Sequence, residues 1–338
     1  MNVTLLGIDS AKNVFQLHGV DDKGNPVLRR KLTRAKFVEF IMNLPPCIIA
    51  MEAGSGANYW SRKFKTMGHE VRLISPQFVK PFVKTNKNDR NDAEAICEAA
   101  SRPSMRYVSP KSIEQQDLQG IHRIRSRLVA QRTALVNQIR GLLAEYGIVI
   151  RQGISHVRKR LPEILEDAEN EISHFGRELF SGLYEELSEI EKTIEKYEVK
   201  LKSIFMSNEL CQRISKIEGL GVISTTAVIA TIGDPKVFKN GRHFSAFLGL
   251  VPRQSSSGGK EKLLGISKRG DTYMRTLLIN GARSVVKNVD SKEDPRSLWI
   301  KSLKERRGIN RATVAVANKN ARIIWALLAK EEDYKKSA

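Results

Sequence analysis

Short apolar runs and amphipathic runs alternate over the amino-terminal third of the chain. Three β-prone runs at residues 3–8, 14–20 and 26–32, separated by turn residues, predict an antiparallel meander. Apolar runs at 47–51 and 70–74 then alternate with helical runs at 35–44, 58–67 and 88–100, and a further helix opens near Pro76. Strands that alternate with helices predict an α/β sheet, with the meander as its antiparallel flank.

Two long helices are predicted in the middle of the chain, at residues 112–146 and 177–205. The second repeats apolar residues at alternating spacings of four and three, the a/d pattern of a coiled-coil seam: Leu183, Leu187, Ile190, Ile194, Tyr197, Leu201 and Ile204. We expect an antiparallel hairpin connected near residues 151–162. The seam is filled either within one chain or by a second protomer, and we expect self-association.

The carboxyl-terminal part predicts a mostly helical domain. After an apolar run at 225–232, its helical runs are 242–248, 271–288 and 310–330, with a serine- and glycine-rich stretch at 255–259. These changes of pattern predict three regions, at residues 1–105, 106–208 and 209–330.

Charge narrows the class of partner. Lys and Arg number 57 against 37 Asp and Glu, a net charge of +20, which favours a polyanion such as nucleic acid. No apolar run is long enough for a membrane span, and we expect a cytoplasmic protein associated with the nucleoid. The three cysteines, Cys47, Cys97 and Cys211, are far apart and predict buried thiols rather than disulfides or a zinc site.

Four carboxylates in the first region run against this positive charge. Asp9 and Glu52 each end a predicted strand, where open α/β sheets bind ligands, and Asp89 and Asp92 share one face at the start of a helix. Converging carboxylates repel one another unless cations are present. Hard oxygen donors without His or Cys predict a pair of Mg²⁺ (or Mn²⁺) ions suited to phosphoryl transfer. Taken singly, each acid has an ordinary structural explanation as a cap or a first-turn acid.

These motifs resemble a known family. The Gly7-Ile8-Asp9 strand, the turn at 52–56 and the run at 87–93 look like the Asp-Glu-Asp-Asp set of a RuvC-like (RNase H-like) domain. The version here is similar to the transposases of bridge-RNA-guided insertion sequences, relatives of the Piv DNA invertases. Residues 244–253 and the Ser-Gly stretch match the family's second domain. The resemblance implies a RuvC-like catalytic domain, a coiled-coil middle and a carboxyl-terminal transposase domain.

The resemblance also implies a serine that attacks the DNA backbone to form a covalent intermediate. The family's Ser-Gly pair falls on Ser257-Gly258, with Ser255 and Ser256 as neighbouring alternatives. Where the family motif has an aromatic residue earlier, this sequence does not. A serine hydroxyl needs metal coordination or an adjacent base to become nucleophilic, and no His lies near Ser257, so we expect the metal-bearing domain to activate it.

Nucleic-acid contacts are expected at three places. Five arginines lie on the first long helix without acids among them, a glycine turn at 218–221 resembles a helix-hairpin-helix, and cations surround Ser257. The residues are Arg123, Arg125, Arg127, Arg132, Arg140, Gly219, Gly221, Lys260, Lys262, Lys268, Arg269 and Arg275.

The expected function is an insertion-sequence transposase that acts on double-stranded donor and target DNA, with a structured guide RNA, as a dimer or tetramer. Two alternatives remain open. One is a RuvC-like, metal-dependent, structure-selective nuclease in which water attacks, and the other is a noncatalytic nucleic-acid scaffold. No membrane partner is expected.

Overall fold

A computed structural model describes residues 2–83 and 89–334 of the 338-residue chain, without the side chains of Asp89 and Arg90. The chain divides into two compact units, the first with bounds 1–113 and 232–239 and the second with bounds 114–231 and 240–338. The long helices and the carboxyl-terminal part thus belong to one unit in this division. The three-region organisation stays a prediction.

The first unit is built on a six-stranded sheet in the order β3-β2-β1-β4-β5-β6. The strands are β1 Leu5–Ser10, β2 Val14–Val20, β3 Pro26–Thr33, β4 Ile48–Glu52, β5 Glu70–Ile74 and β6 Tyr107–Val108. β1, β2 and β3 pair in antiparallel fashion, and β1, β4 and β5 are parallel. The predicted α/β sheet with an antiparallel flank is confirmed, and the two-residue β6 adds an edge that the sequence pattern does not predict.

Helices cover both faces of this sheet. They are α1 Arg34–Met42, α2 Ala57–Thr66, α3 Pro76–Val79 and α4 Asp89–Ala100, and a 3-10 turn spans Lys80–Phe82. On one face, buried rings from β2, α1 and α2 pack together, with Phe15 stacked on Phe37 at 4.0 Å between ring centres. On the other face, small residues of α4 pack on Leu5 and Ala50. Residues 87 and 88 of the predicted motif lie outside the described residues.

Three helices form the long middle of the second unit: α5 Ile113–Ala144, α6 Ile154–Glu166 and α7 His174–Ser207. The predicted connection at 151–162 is largely the helix α6, which buries Val157, Leu161 and Ile164 even though Pro162 lies inside it. In the predicted seam of α7, Leu187, Ile194 and Leu201 are buried within the chain. Self-association through the seam stays a prediction.

The rest of the second unit is mostly helical, as predicted. Its elements are α8 Glu209–Ser215, α9 Val222–Thr231, α10 Gly241–Phe247, β7 Pro252–Gln254, β8 Leu263–Ile266, α11 Thr272–Lys287, α12 Pro295–Arg307 and α13 Ile309–Lys330. The hairpin β7–β8 and the helix α12 are additions to the prediction. In the part of the chain that the structure describes, no helix is long and apolar enough to span a membrane.

Candidate functional site

Asp9 and Glu52 occupy equivalent positions at the carboxyl ends of two neighbouring strands. The parallel pair β1 and β4 brings Ile8 beside Met51, so the next residues along the two strands are Asp9 and Glu52. Neighbouring strands lie about 4.8 Å apart, and residues in register point to the same face of a sheet. Both residues are half-buried. The sheet register thus places two carboxylates side by side at one end of the sheet.

Helix α4 packs on the face of β1 that carries Asp9. Leu5, Gly7 and Asp9 alternate along β1 and share that face. A Cβ atom on Gly7 would lie 2.5 Å from the carbonyl oxygen of Ala93 and 2.7 Å from the backbone nitrogen of Cys97, so only glycine permits this approach. The Cys97 thiol lies 3.9 Å from the carbonyl oxygen of Leu5. Because Cys97 lies near Leu5 and Ala93 near Gly7, α4 runs antiparallel to β1.

The antiparallel direction brings the first turn of α4 to the end of the sheet where β1 and β4 finish. Asp92 is in this turn and is half-buried. It lies four residues before Ile96 and seven before Ala99, both fully buried, so it continues the stripe that faces the sheet. Asp89 is the first residue of α4, and its side chain lies outside the described residues.

Ser257 lies at the tip of the hairpin β7–β8. The Lys260 amide donates to the Ser257 carbonyl oxygen at 3.0 Å, and Gly258 and Gly259 have φ of 55° and 76°. Two successive residues with positive φ are the mark of a type I′ turn, which glycine adopts without steric cost. The seryl residues at 255–257 are all exposed. The Ser256 hydroxyl accepts a hydrogen bond from the Gln254 amide at 3.0 Å.

Arg275 fastens the base of this hairpin. It is only 7% exposed, and its Nη1 donates to the carbonyl oxygens of Leu248 at 3.2 Å and Arg269 at 2.9 Å. Those two residues flank the hairpin on either side. The structure thus corrects the expectation that Arg275 contacts nucleic acid, since its guanidinium is buried and bonded to the main chain.

The other cations expected near the serine remain on the surface. Lys260, Lys262, Lys268 and Arg269 are all exposed. Lys260 is directly across the turn from Ser257, to which it is bridged. The hairpin therefore presents a hydroxyl among positive charges, an arrangement suited to a phosphodiester backbone.

The arginines of α5 divide into exposed and paired groups. Arg123 and Arg127 are exposed. Arg125 donates its Nε to Glu198 of α7 at 2.9 Å, and Arg132 lies 3.9 Å from Glu191. The two pairs are seven residues apart in opposite directions along α5 and α7, which confirms the antiparallel hairpin.

These pairs correct the expectation that all five arginines of α5 contact nucleic acid. The acids missing from α5 come from α7. The Glu191 side chain is only 19% exposed and also lies 3.3 Å from Arg158. Arg140 donates its Nε to the carbonyl oxygen of Ile150 at 3.1 Å. Arg125 and Arg132 thus pair α5 with α7, and Arg140 is bonded to the segment that follows α5. Arg123 and Arg127 are exposed, and Arg127 donates to Gln131 of the same helix at 2.6 Å.

The turn between α8 and α9 is a helical hairpin with a close-packing role. Gly219 has φ of 87°, and a Cβ there would lie 2.6 Å from the carbonyl oxygen of Gly281 in α11. A Cβ on Gly221 would meet nothing within 4 Å, and this residue is exposed. Gly219 therefore serves contact between helices, while Gly221 is exposed at the surface.

The comparisons with known proteins decide the family. Residues 211–296 match the model of the Transposase IS116/IS110/IS902 family, and residues 6–148 match a DEDD transposase model of the IS110 group. The transposase for insertion sequence element IS1111A of Coxiella burnetii is 51% identical over 334 residues, 99% of this chain and 92% of the relative. A probable family 20 transposase of Pseudomonas aeruginosa is 51% identical over 336 residues, 99% of both chains. The transposase for element IS1328 of Yersinia enterocolitica is 42% identical over 326 residues, 96% of this chain and 97% of that one.

This chain belongs to the IS116/IS110/IS902 transposase family. It is an insertion-sequence transposase, and transposases act on DNA. The transposase part of the resemblance drawn from the sequence motifs is confirmed. Guidance by RNA and the relation to Piv invertases stay predictions.

DEDD transposases generally use a divalent metal ion, and the donors of this transposase fit a hard cation. Asp9, Glu52 and Asp92 offer carboxylate oxygens. The nearby Cys97 offers no thiolate, since burial raises the pKa of its thiol to about 12. Among the described side chains, which exclude that of Asp89, no three His, Cys, Asp or Glu residues form a metal-binding group.

One buried polar network of the transposase was not predicted from the sequence. His122 is 2% exposed, and its ring lies 3.0 Å from the Tyr273 hydroxyl and 3.1 Å from the Thr226 hydroxyl. Burial, aided by the charge of Arg125, lowers the pKa of His122 to about 4. These residues lie on three different helices. The only local signal is a histidine on the apolar stripe of α5, four residues after the buried Leu118.

Proposed function

We propose that this transposase breaks and rejoins DNA strands through a covalent bond between Ser257 and the DNA backbone. The amino-terminal α/β region would act as a RuvC-like catalytic domain, with divalent ions held by Asp9, Glu52, Asp89 and Asp92. The observation that carries the proposal is the exposed Ser257 at the tip of a type I′ hairpin, directly across from Lys260. A nucleophile that must reach a DNA backbone has to project from the surface, and this turn provides that placement.

The reaction is a phosphoryl transfer. The Ser257 Oγ loses its proton and bonds to a backbone phosphorus, while the bond from phosphorus to a sugar oxygen breaks and that oxygen takes up a proton. Rejoining reverses the step, with a sugar hydroxyl of another strand attacking the phosphorus and Ser257 leaving. The ester bond is conserved, so the exchange needs no nucleotide hydrolysis. Lys260, Lys262 and neighbouring cations would offset the charge that develops on the phosphate.

The acidic residues would hold the metal. When bound, Mg²⁺ (or Mn²⁺) supplies Lewis-acid stabilisation of phosphate charge and helps to acidify an attacking hydroxyl. The parallel register supports this role for Asp9 and Glu52, because it puts their carboxylates side by side. Asp92 is on the sheet-facing stripe of α4, in the turn that reaches the same end of β1.

The partners would be double-stranded donor and target DNA and a structured guide RNA. Exposed arginines on a long helix suit RNA, since guanidinium groups form bidentate hydrogen bonds to phosphate and also stack on bases. Arg123 and Arg127 are the candidates on α5, because they are exposed, whereas the other three arginines pair with residues outside α5. A dimer or tetramer at the nucleoid would bring two DNA ends together.

Trapping of protein–DNA adducts tests the proposal. The protein is incubated with labelled donor and target DNA, guide RNA and Mg²⁺ and is then denatured. We expect label to stay on the protein. Ser257→Ala should remove this label while DNA binding persists. Cleavage without adducts would favour the hydrolytic nuclease, in which a water attacks. If Asp9→Asn and Asp92→Asn change neither cleavage nor exchange, the noncatalytic scaffold is favoured instead.

A further inference from the structure

A cavity of about 280 Å³ lies in the second unit between α5, α9 and the start of α11. One stripe of α5 forms its wall, with Gln119, Arg123 and Ser126 at helical spacings of four and three. The small residues Ala227 and Ala230 of α9 lie opposite. The family resemblance assigns no role to this cavity, and the proposed reaction at Ser257 does not use it.

The polar side chains of the α5 wall have no partners within the described part of the chain. Gln119, Arg123 and Ser126 make no side-chain hydrogen bond or ion pair with other described residues. Gln119 is half-buried, whereas Arg123 and Ser126 are exposed at the surface end. Together they offer donors and acceptors in one place, which a polar ligand would bond in place of water.

Beyond α5 and α9, the lining consists of Tyr273 and of Asp271, the residue that caps α11. The Tyr273 ring lines the cavity and lies 5.6 Å from the His122 ring, centre to centre. The Thr226 hydroxyl lies 2.6 Å from the carbonyl oxygen of Val222, to which it donates. It therefore accepts from His122 Nε2, which leaves Nδ1 to accept from the Tyr273 hydroxyl. Tyr273 is thus held in one orientation, half-buried in the cavity lining.

Aromatic stacking, a hydrogen-bonding edge and a cation at the mouth are the elements that recognise a nucleotide with its base turned out of the helix. The volume is near the lower end of ligand cavities, which suits one base rather than a dinucleotide cofactor. We propose that this cavity takes a single unpaired nucleobase of a bound nucleic-acid strand, stacked on Tyr273, with its edge at Gln119 and Ser126 and its phosphate at Arg123. This inference rests on the proposed function for its nucleic-acid substrate, but not on the serine chemistry.

Fluorescence anisotropy at fixed salt tests this site with the full-length protein. The two probes are one DNA duplex that carries a single bulged adenine and the same duplex with an abasic residue at the bulge. Stacking of one base predicts that the adenine probe binds about tenfold more tightly. Ser126→Phe should block the mouth and abolish this preference. The matched control Ala130→Phe, one turn further along α5 and also exposed, should keep it.

The outcomes separate the possible ligands. Arg123→Ala should weaken both probes while leaving their ratio near that of the unmodified protein. Equal affinity for the two probes in the unmodified protein would overturn the proposal, and binding of AMP alone without any preference for the bulged adenine would assign the cavity to free nucleotides instead. Thermal melting of both phenylalanine variants checks their folding. Binding needs no cleavage, so failure of adduct formation at Ser257 would leave this measurement valid.

Discussion

The guanidinium of Arg275, in the helix α11 that follows the hairpin β7–β8, donates to the carbonyl oxygen of Leu248 at 3.2 Å. Leu248 precedes the hairpin. A second bond reaches Arg269, on the other side of the hairpin. One buried cation thus closes the base of the segment that holds Ser257. Its bonding partners are main-chain oxygens and the Thr272 hydroxyl. The planar arrangement of its two terminal nitrogens therefore matters more for this contact than its charge.

Arg275→Lys should therefore misplace the hairpin without removing any contact to DNA. A lysine lacks the second nitrogen that bonds Thr272, and its shorter side chain does not reach the two carbonyl oxygens that Nη1 bonds. Leaving a buried acceptor unpaired costs about 1–3 kcal/mol in the free energy of unfolding. We expect denaturant melts to show that loss and adduct yield to fall while DNA affinity stays unchanged. Arg283→Lys, an exposed change on the same helix, is the control and should alter neither. Wild-type adduct yield in the Arg275 variant would contradict this role.

Gly7→Ala should separate α4 from the sheet. The added Cβ would lie 2.5 Å from the Ala93 carbonyl oxygen, which is backbone and cannot turn aside. We expect a stability loss of about 1–3 kcal/mol and a loss of strand exchange, because Asp92 moves away from the end of β1. Gly182→Ala is the matched control. It is exposed in α7 with open space around it, so it should be neutral or slightly stabilising. Unchanged exchange in Gly7→Ala would argue against the importance of the α4 contact.

The pair of Arg125 and Glu198 should contribute little to stability. The Glu198 side chain is 45% exposed, and pairs of this kind contribute about 0.2–1 kcal/mol in double-mutant cycles. We expect Glu198→Gln to show a loss in that range, measured by chemical denaturation at low salt and shrinking at high salt. Glu195→Gln, exposed on the same helix, should show none of it. A loss well above that range, or one that salt does not reduce, would mean that the pair is buried in solution.

His122 should make the protein less stable in mild acid. Its pKa is about 4 when folded against an ordinary value of 6.5, so below 6.5 the unfolded chain binds the proton more readily. The stability that neutral His122 contributes is fully present above pH 6.5, decreases as the pH falls toward 4 and is constant below that. The total decrease in the free energy of unfolding is at most about 3 kcal/mol. The difference in melting temperature between the unmodified protein and His122→Gln, followed from pH 8 to pH 4, reports it. A constant difference across that range would contradict a neutral buried His122.

The sheet and the long helices were predictable because their signals are local. Short apolar runs mark β1 and β4, and the parallel order then brings Asp9 and Glu52 to one end. The hairpin at Ser257 was missed because its strands are short: β7 has three exposed residues, and β8 has four residues that end at Ile266. The helix α12 has a recognisable start, with Asp294 as its cap and Pro295 in its first turn. Its hydrophobic stripe is too weak to reveal it.

The roles of individual cations could not be read from the sequence. Arg275 and Arg283 look alike along the chain, yet one is buried and the other exposed. Arg125 and Arg132 meet acids more than fifty residues away, and those partners depend on how the helices fold back. Long-range pairing of this kind has no local pattern.

The central claim is the nucleophilic role of Ser257, and the trapped adduct tests it most directly. Ser257→Ala should abolish label on the denatured protein, and Ser255→Ala and Ser256→Ala, neighbours on the same exposed hairpin, should retain it. Mass spectrometry of the digested adduct should place the linked nucleotide on the peptide containing Ser257. Adducts that persist in Ser257→Ala, or that vanish only in one of the neighbouring variants, would contradict the assignment.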